Sequence, residues 1–275
     1  MIWWFIGVAS GIIFVLCLYF VLIMPRMNNK VDLSVLKGKY FAHRGFHNED
    51  DDCPENSMGA FRRAVERGYG IELDVRLTKD ERVVVFHDDT LNRMCGVKGK
   101  VKDYTFEELQ QFSLKGTEEK IPLFSEVLKL VDGKIPLLVE IKATGKSFYV
   151  TGQVDRLLRE YKGPYCVESF HPGVLFWYRL HRKGVVRGQL SSAFRKDGDK
   201  EGVSLFLVRH LLLNCFGRPD FIAYKHTYPK AMSRKLCRNL FKASAAAWTI
   251  KSKEELEKAK KYFDVFIFEG FVPQK

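Results

Sequence analysis

The sequence predicts an α/β protein, an irregular TIM (β/α)8 barrel preceded by one N-terminal transmembrane helix. Three observations support this fold class. Strand-like and helix-like segments alternate from residue 40 onward, the strand segments are continuously apolar, and polar residues stand at the ends of several of them. Continuously apolar strands are typical of a parallel sheet covered by helices, and a parallel barrel keeps its active site at the strand C-termini.

The N-terminal segment comes first in the chain and is read as a membrane anchor. Residues 1–25 carry no charged side chain, and such a run is long enough to cross a hydrocarbon core of ~30 Å as a helix. A cleaved signal peptide would show a basic start, a shorter apolar run and a small-x-small site. We therefore expect a retained anchor over 1–25, a linker over 26–38 and the barrel domain over 39–275.

The charges around the anchor predict its orientation. Arg26, Lys30, Lys37 and Lys39 follow the apolar run, and no basic residue precedes it. Basic residues beside a membrane span tend to stay in the cytoplasm, so we expect a single-pass protein whose barrel domain is cytoplasmic. The six cysteines are scattered without a CxxC pair, which favours free thiols in a reducing compartment over disulfides or a zinc site.

The net charge of +12 leaves the barrel domain near +10 and favours anionic partners. Phosphorylated substrates and anionic lipid surfaces fit this charge. Nucleic acid is not supported, because the basic residues form no stripe with interleaved aromatic residues. The sequence does not indicate an oligomeric state.

The barrel elements follow in order, and the strand candidates number one more than eight. They are 40–43, 70–76, 82–87, 136–142, 164–170, 185–190, 220–224, 243–250 and 264–269. Only six residues separate Arg76 from Val83, too few for a crossover helix, so this piece is expected to be a hairpin-like excursion.

The helix boundaries are indicated by capping residues. Ser57 is placed to cap a helix that Gly68 ends. Thr105 with Glu108, and Ser252 with Glu255, have capping-box spacing. The apolar segment 204–216 is expected to be a buried barrel helix, and a membrane-facing or lipid-gripping element is the alternative.

Acidic residues on two strands predict a metal site. Glu72 and Asp74 are two residues apart, so both carboxylates point to one face of their strand, and Glu140 on another strand can add a third oxygen ligand. Three carboxylates without a thiolate select Ca²⁺ or Mg²⁺ over Zn²⁺. The alternative is that these acids form buried ion pairs with Arg76 and Lys142.

Two histidines stand at the ends of strands in the same region. His43 and His87 can take and give protons near neutral pH, although a lone histidine at a strand end is more often structural. Arg44 offers a planar fork for a phosphate, with an ordinary salt bridge as the alternative.

These residues lie in short motifs that together resemble the glycerophosphodiester phosphodiesterase family. The motifs are HRG (43–45), PENS (54–57), ELDV (72–75), TKDERVVVFHD (78–88) and EIK (140–142), with weaker continuation through ESF (168–170) and AWTI (247–250). The resemblance covers residues 40–145 most strongly.

The resemblance implies a role for each matching residue. It implies metal ligands at Glu72, Asp74 and Glu140, and acid/base catalysts at His43 and His87. It further implies phosphate or substrate binding by Arg44, Lys142 and Trp248, and support of the metal's surroundings by Glu55 and Asn56. Near the last strand the family often has an Asp followed by Pro, whereas this chain has Glu269 followed by Gly270, so Glu269 is left without an assigned role.

The implied activity is metal-dependent hydrolysis of glycerophosphodiesters to an alcohol and sn-glycerol 3-phosphate. For this family the resemblance suggests that the substrate's own hydroxyl attacks first and that water then opens a cyclic phosphate. Two alternatives stay open: a lysophospholipase D acting on lysophospholipids, and a non-catalytic barrel that binds anionic lipid. The presence of both histidines and all three acids favours an enzyme.

Overall fold

The computed structural model describes residues 1–28, 30–48, 53–143, 145–198 and 202–274. Within these residues the chain forms nine strands, and each prediction of a strand is confirmed to within a few residues. They are β1 (Tyr40–Ala42), β2 (Gly70–Leu77), β3 (Val83–Val85), β4 (Leu137–Ile141), β5 (Tyr165–Ser169), β6 (Arg187–Ser191), β7 (Phe221–Lys225), β8 (Ser244–Ile250) and β9 (Val265–Phe268).

Eight of these strands close into a parallel barrel, so the predicted fold class is confirmed. β1 pairs in parallel with both β2 and β9, which joins the two ends of the sheet. The extra strand, β3, runs antiparallel to β2 with Val75 opposite Val85. It is therefore the predicted hairpin excursion and lies outside the barrel wall.

Helices pack around the barrel, and one more precedes it in the chain. The longer ones are α1 (Ile2–Ile23), α2 (Met58–Arg67), α5 (Phe124–Val131), α6 (Ser147–Glu160), α7 (Pro172–His181), α10 (Met232–Asn239) and α11 (Lys253–Lys260); the shorter ones are α3 (Asn92–Cys95), α4 (Phe106–Leu109), α8 (Val203–Arg209) and α9 (Asn214–Gly217).

The predicted caps are present at three helices. Ser57 accepts a hydrogen bond from the Ala60 amide before α2, and Gly68 ends that helix at a φ of 65°. Thr105 and Glu108 form the full capping box. Ser252 caps α11, but Glu255 reaches the Lys251 amide instead of closing the box.

The core of the barrel interior is apolar and includes part of the segment predicted as a linker. Leu36 is fully buried against inward-facing residues such as Phe41 and Phe221, and Val31, Leu33 and Val35 pack beside it. Residues 31–36 therefore pack against the barrel core. Gly188 lies opposite Phe221, where a Cβ would stand 2.1 Å from the Phe221 ring, so only glycine accommodates this ring.

Helix α1 projects from the domain and is held only at its C-terminal end. Its residues are mostly exposed until Ile23, which is buried. Asn214 donates to the Ile23 carbonyl at 2.9 Å, Arg218 donates to the Met24 carbonyl at 2.9 Å, and Arg26 pairs with Asp220 at 3.1 Å. By length and composition α1 is able to cross a membrane, a property that signal sequences share.

The single buried helix expected over 204–216 is wrong. This stretch contains most of α8, a turn and the start of α9. Val208 and Leu211 are buried, whereas Phe206 is 47% and Phe216 is 51% exposed. A positive φ at Leu211 breaks the helix between them, and the apolar side chains are thereby divided between the core and the surface.

Candidate active site

The first wall of the site is the turn that follows β1. His43, Arg44 and Gly45 leave the strand there, and Gly45 has a φ of 86°. A Cβ on Gly45 would lie 2.8 Å from the Cβ of Ala60, so the tight turn needs glycine. The carbonyl of Arg44 accepts a hydrogen bond from the Asn56 amide at 2.8 Å, which ties the HRG turn to the PENS turn.

The three predicted acidic ligands converge. Glu72 and Asp74 share one face of β2, and Asp74 stands opposite Glu140 of β4 in the sheet register. One carboxylate oxygen from each lies within 4.8 Å of the others, and all three side chains are buried. The period-two argument from the sequence is thus confirmed in its geometry.

Neighbouring groups fix the orientation of these carboxylates. Asn56 donates to Asp74 Oδ2 at 2.9 Å, and the Arg44 amide donates to Glu72 Oε2 at 3.0 Å. Lys142 Nζ lies 3.0 Å from Asp74 Oδ1 and 2.7 Å from a Glu140 oxygen. The predicted ion pair of the acids with Lys142 therefore exists.

Arg76 does not take part in the ion pairing of this cluster. Its guanidinium donates to the His87 carbonyl at 2.9 and 2.7 Å and lies 3.5 Å from Asp89. A fourth acid, Glu168 of β5, is buried and stands opposite Glu140 in the register. In the described part of the chain, the negative charge of the cluster thus exceeds that of its basic neighbours.

Burial, together with the charges of neighbouring carboxylates, raises the pKa of several acids. Burial, followed by the charges of Asp74 and Glu140, raises the pKa of Glu72 well above its usual range. Burial raises the pKa of Glu140 to about 6 and that of Glu168 well above normal. A buried oxygen cluster with surplus negative charge fits a hard divalent cation, which would restore the ionised form of these acids.

His43 is backed by a carboxylate that the sequence did not identify. Its Nδ1 lies 2.6 Å from Glu269 Oε2 at the end of β9. Burial opposes ionisation of Glu269, but the hydrogen bond with His43 and the nearby positive charge of Lys251 hold the pKa of Glu269 at about 2. Burial lowers the pKa of His43. An ionised carboxylate only accepts hydrogen bonds, so neutral His43 donates Nδ1–H and leaves Nε2 free of a proton.

His87 has the same arrangement with a different acid. Its Nδ1 lies 2.6 Å from Asp88 Oδ1, and burial lowers the pKa of His87 to about 4. Arg93 donates to Asp88 at 2.7 Å and to Glu55 at 2.7 Å. Asp88 therefore orients His87, and Arg93 holds Asp88.

Glu55 links this arrangement to the HRG turn. It accepts from Arg44 Nη1 at 2.7 Å as well as from Arg93. The arginine predicted to bind phosphate is thus positioned by the PENS segment. Arg93 and Asp88 were not singled out by sequence reasoning, although Asp88 lies within the motif that ends in FHD.

Trp248, near the end of β8, contacts the site indirectly, because its ring packs against Phe170. Its ring meets Phe170 edge-on, with ring centroids 5.6 Å apart. The indole Nε1–H is buried and has no hydrogen-bond partner among the described residues. Buried donors are usually paired, so this N–H is an exception among the polar groups near the site.

Comparison with known proteins assigns the family. The model of the glycerophosphoryl diester phosphodiesterase family matches residues 43–194, more than half of the chain. The chain belongs to this family. The match spans both histidines, the three clustered carboxylates and Glu168.

Individual relatives agree with the family assignment. The chain is 40% identical over 149 residues to a glycerophosphodiester phosphodiesterase of Bacillus altitudinis, covering 50% of this chain and 60% of that protein. It is 34% identical over 137 residues to a lysophospholipase D of Rattus norvegicus, covering 45% and 42%. The match thus spans about half of the length of these curated relatives.

A solved structure extends the likeness over the whole barrel. The glycerophosphodiester phosphodiesterase of Thermotoga maritima superposes with a TM-score of 0.64 at 26% identity, over 83% of this chain and 93% of that one. The family match, which ends at residue 194, does not include α8 or α9.

Proposed function

We propose that this chain hydrolyses glycerophosphodiesters to an alcohol and sn-glycerol 3-phosphate with a bound divalent cation, Ca²⁺ or Mg²⁺. The observation that carries the proposal is the convergence of three buried carboxylates beside two histidines, each paired with its own carboxylate. Family membership and the activity named for the relatives support the same reaction.

The cation would be held by Glu72, Asp74 and Glu140. When bound it would neutralise charge on the phosphoryl oxygens and supply Lewis-acid chemistry. Asn56 orients Asp74 for this role through its 2.9 Å hydrogen bond. Arg44, held by Glu55, and Lys142 would supply further positive charge to the phosphate.

The histidines would move the protons. A substrate hydroxyl next to the phosphate attacks phosphorus and gives its proton to the free Nε2 of one histidine. The other histidine, in its protonated form, gives a proton to the leaving alcohol, so a cyclic phosphate and an alcohol result. Water then opens the cyclic phosphate with the two roles exchanged. Which histidine acts first is left open.

Trp248 would contribute to substrate binding through its unpaired indole N–H and its ring face. Both are features that bind a polar organic substrate at a barrel mouth. The intact set of proton-transfer groups favours this enzyme over a non-catalytic barrel that binds anionic lipid.

The direct test is product analysis. Purified protein with Ca²⁺ or Mg²⁺ should convert glycerophosphocholine to choline and sn-glycerol 3-phosphate. Phosphorus NMR detects the phosphorylated product. The double variant His43→Ala/His87→Ala should form neither product. Absence of turnover by the folded wild-type protein on glycerophosphodiesters of several alcohols would refute the proposed function.

We further propose that α1 is a retained single-pass anchor with the barrel in the cytoplasm. The basic residues that follow the helix support this orientation, and the docked end of α1 supports retention. In the variant Lys253→Cys, at an exposed site of α11, a membrane-impermeant maleimide should label the protein only after cell lysis. Labelling of this cysteine in intact cells would contradict the orientation.

A further inference from the structure

Helix α1 joins the barrel at the end opposite the candidate active site. The Arg26 amide donates to the Pro219 carbonyl at 2.9 Å, and the Arg26 guanidinium pairs with Asp220 at 3.1 Å, directly before β7 begins. The candidate active site lies instead toward the C-terminal ends of the strands, as is usual for parallel barrels. Because residues 2–18 are exposed, α1 leaves the domain at the end where the strands begin.

This end of the barrel carries a layer of exposed lysines, which we call the anchor face. The segments between a helix and β1, β4, β5, β6, β8 or β9 each contain at least one, and none of these lysines forms an ion pair with a described residue. They are Lys37, Lys39, Lys134, Lys162, Lys183, Lys242 and Lys261. Among the acids of the segments that lead into the barrel strands, Asp220 and Asp264 are paired with arginines. Asp32 and Asp132 remain against the seven lysines, so the anchor face is strongly positive.

An open groove on the anchor face lies beside the docked end of α1. Its volume is about 640 Å³, and its lining includes Lys37, Arg238, Asn239, Lys242, Ser244 and Asp264. Asp264 pairs with Arg238 at 2.8 Å, so the two lysines keep their positive charge available. Phe241, next to Lys242, meets Phe20 of α1 with ring centroids 6.3 Å apart. A phosphate in the headgroup layer around α1 would therefore lie close to this groove.

We propose that the anchor face lies on an anionic membrane surface, with lipid phosphates against its lysines, so that the barrel mouth points away from the bilayer. The inference rests on the proposed anchor and adds the surface through which the domain meets the lipid. Anionic lipid is favoured over an acidic protein or nucleic acid because the apolar helix leaves from the same end and brings this face to the bilayer. Substrate then reaches the site from the aqueous phase.

The mouth of the barrel also carries lysines, and these serve as internal references. Lys146, Lys196 and Lys230 are exposed in the segments that follow β4, β6 and β7. The five-residue strands β4 and β7 rise about 16 Å between the two ends at the usual spacing of ~3.3 Å per residue. This separation exceeds the Debye length of ~8 Å at physiological salt, so the reference lysines should not sense a surface that the anchor face contacts.

The test is lysine footprinting of the full-length protein in nanodiscs of phosphatidylcholine alone and in nanodiscs that also contain phosphatidylglycerol. The uncharged reagent N-succinimidyl acetate labels accessible amines, and mass spectrometry gives the rate at each lysine. In the anionic discs Lys37, Lys134, Lys162 and Lys242 should be labelled at least about fivefold more slowly, which is the contribution of a single lysine near such a surface. The reference lysines should keep their rates, and about 1 M salt should remove the protection.

A triple variant of the anchor face tests the assignment to these side chains. Because each lysine contributes about fivefold, Lys134→Gln/Lys162→Gln/Lys183→Gln should lower the docking equilibrium by about 100-fold. The protection of Lys37 and Lys242, which the variant retains, should therefore be lost in the anionic discs. The matched control removes the same charge at the mouth, through Lys146→Gln/Lys196→Gln/Lys230→Gln, and should keep that protection. Equal protection in the two triple variants would refute the assignment.

The footprint of the wild-type protein decides the inference even if a variant fails to fold. Equal labelling of the anchor face in the two kinds of disc would overturn it and favour an acidic protein or nucleic acid as the partner of this face. Slower labelling of the reference lysines instead would overturn it by placing the mouth against the bilayer. Release of the chain from the discs by high salt would reject the anchor as well. None of these readouts depends on hydrolysis, so the proposed activity is tested separately.

Discussion

The pairing of His43 with Glu269 makes the most specific mechanistic prediction. The substitution Glu269→Gln keeps the shape of the side chain but replaces an oxygen that only accepts hydrogen bonds by an amide that also donates. At the 2.6 Å separation of Nδ1 and Oε2, the new NH₂ group would donate to Nδ1 and move the histidine proton to Nε2. His43 would then lack the free Nε2 that proton transfer needs.

The expected size of the effect follows from the role of the group. Positioned acid–base catalysis contributes ~10²–10⁴-fold, so kcat should fall by about that factor, which corresponds to ~3–5 kcal/mol in the barrier. Glu269 also raises the pKa of His43 against the lowering effect of burial. The acid limb of the pH–rate profile should therefore move to lower pH in the variant.

The assay is steady-state release of choline from glycerophosphocholine as a function of pH, with thermal unfolding measured in parallel. Glu257→Gln, which changes an exposed glutamate of α11, is the matched control and should leave kcat and the pH profile unchanged. Near-wild-type kcat in folded Glu269→Gln would refute the reasoning and leave Glu269 a structural residue.

Three further predictions concern His87 and the turn that contains Gly45. His87→Ala should lower kcat by ~10²–10⁴-fold with little change in melting temperature; retention of turnover would make His87 structural. Because burial lowers the pKa of His87 to about 4, its contribution to the unfolding free energy should be complete above pH ~6.5 and be lost as pH falls toward 4; denaturant titrations that show the same pH dependence in His87→Asn would contradict this. Gly45→Ala should destabilise the fold by ~1–3 kcal/mol in urea titrations, because φ is 86° and the added Cβ meets Ala60 at 2.8 Å; an unchanged midpoint would show that the turn relaxes freely.

Local sequence patterns were sufficient to predict the barrel strands and the acidic cluster. Continuous apolar runs located the strands, and the spacing of Glu72 and Asp74 fixed their common face because strand side chains alternate. The too-short gap before β3 identified the hairpin, since a parallel crossover needs a longer connection. These arguments depend on neighbours in sequence, which the chain displays directly.

The contacts that form when the barrel closes could not be predicted from such local patterns. Glu269 reaches His43 only because β9 pairs with β1, with Phe268 opposite Ala42, and the two side chains are 226 residues apart in sequence. The packing of Leu36 into the barrel interior was missed for the same reason. The sequence showed that residues 204–216 are apolar. It did not show that the helix breaks at Leu211, which divides these side chains between core and surface.

The central claim is that Glu72, Asp74 and Glu140 hold a divalent cation that hydrolysis requires. The most direct measurement is choline release from glycerophosphocholine by chelator-treated protein before and after addition of Ca²⁺ or Mg²⁺. The wild-type protein should be inactive after chelation and recover with added cation, whereas folded Asp74→Asn should bind the cation more weakly by calorimetry and recover little. Full activity in excess chelator, with no metal in the purified protein, would contradict the account.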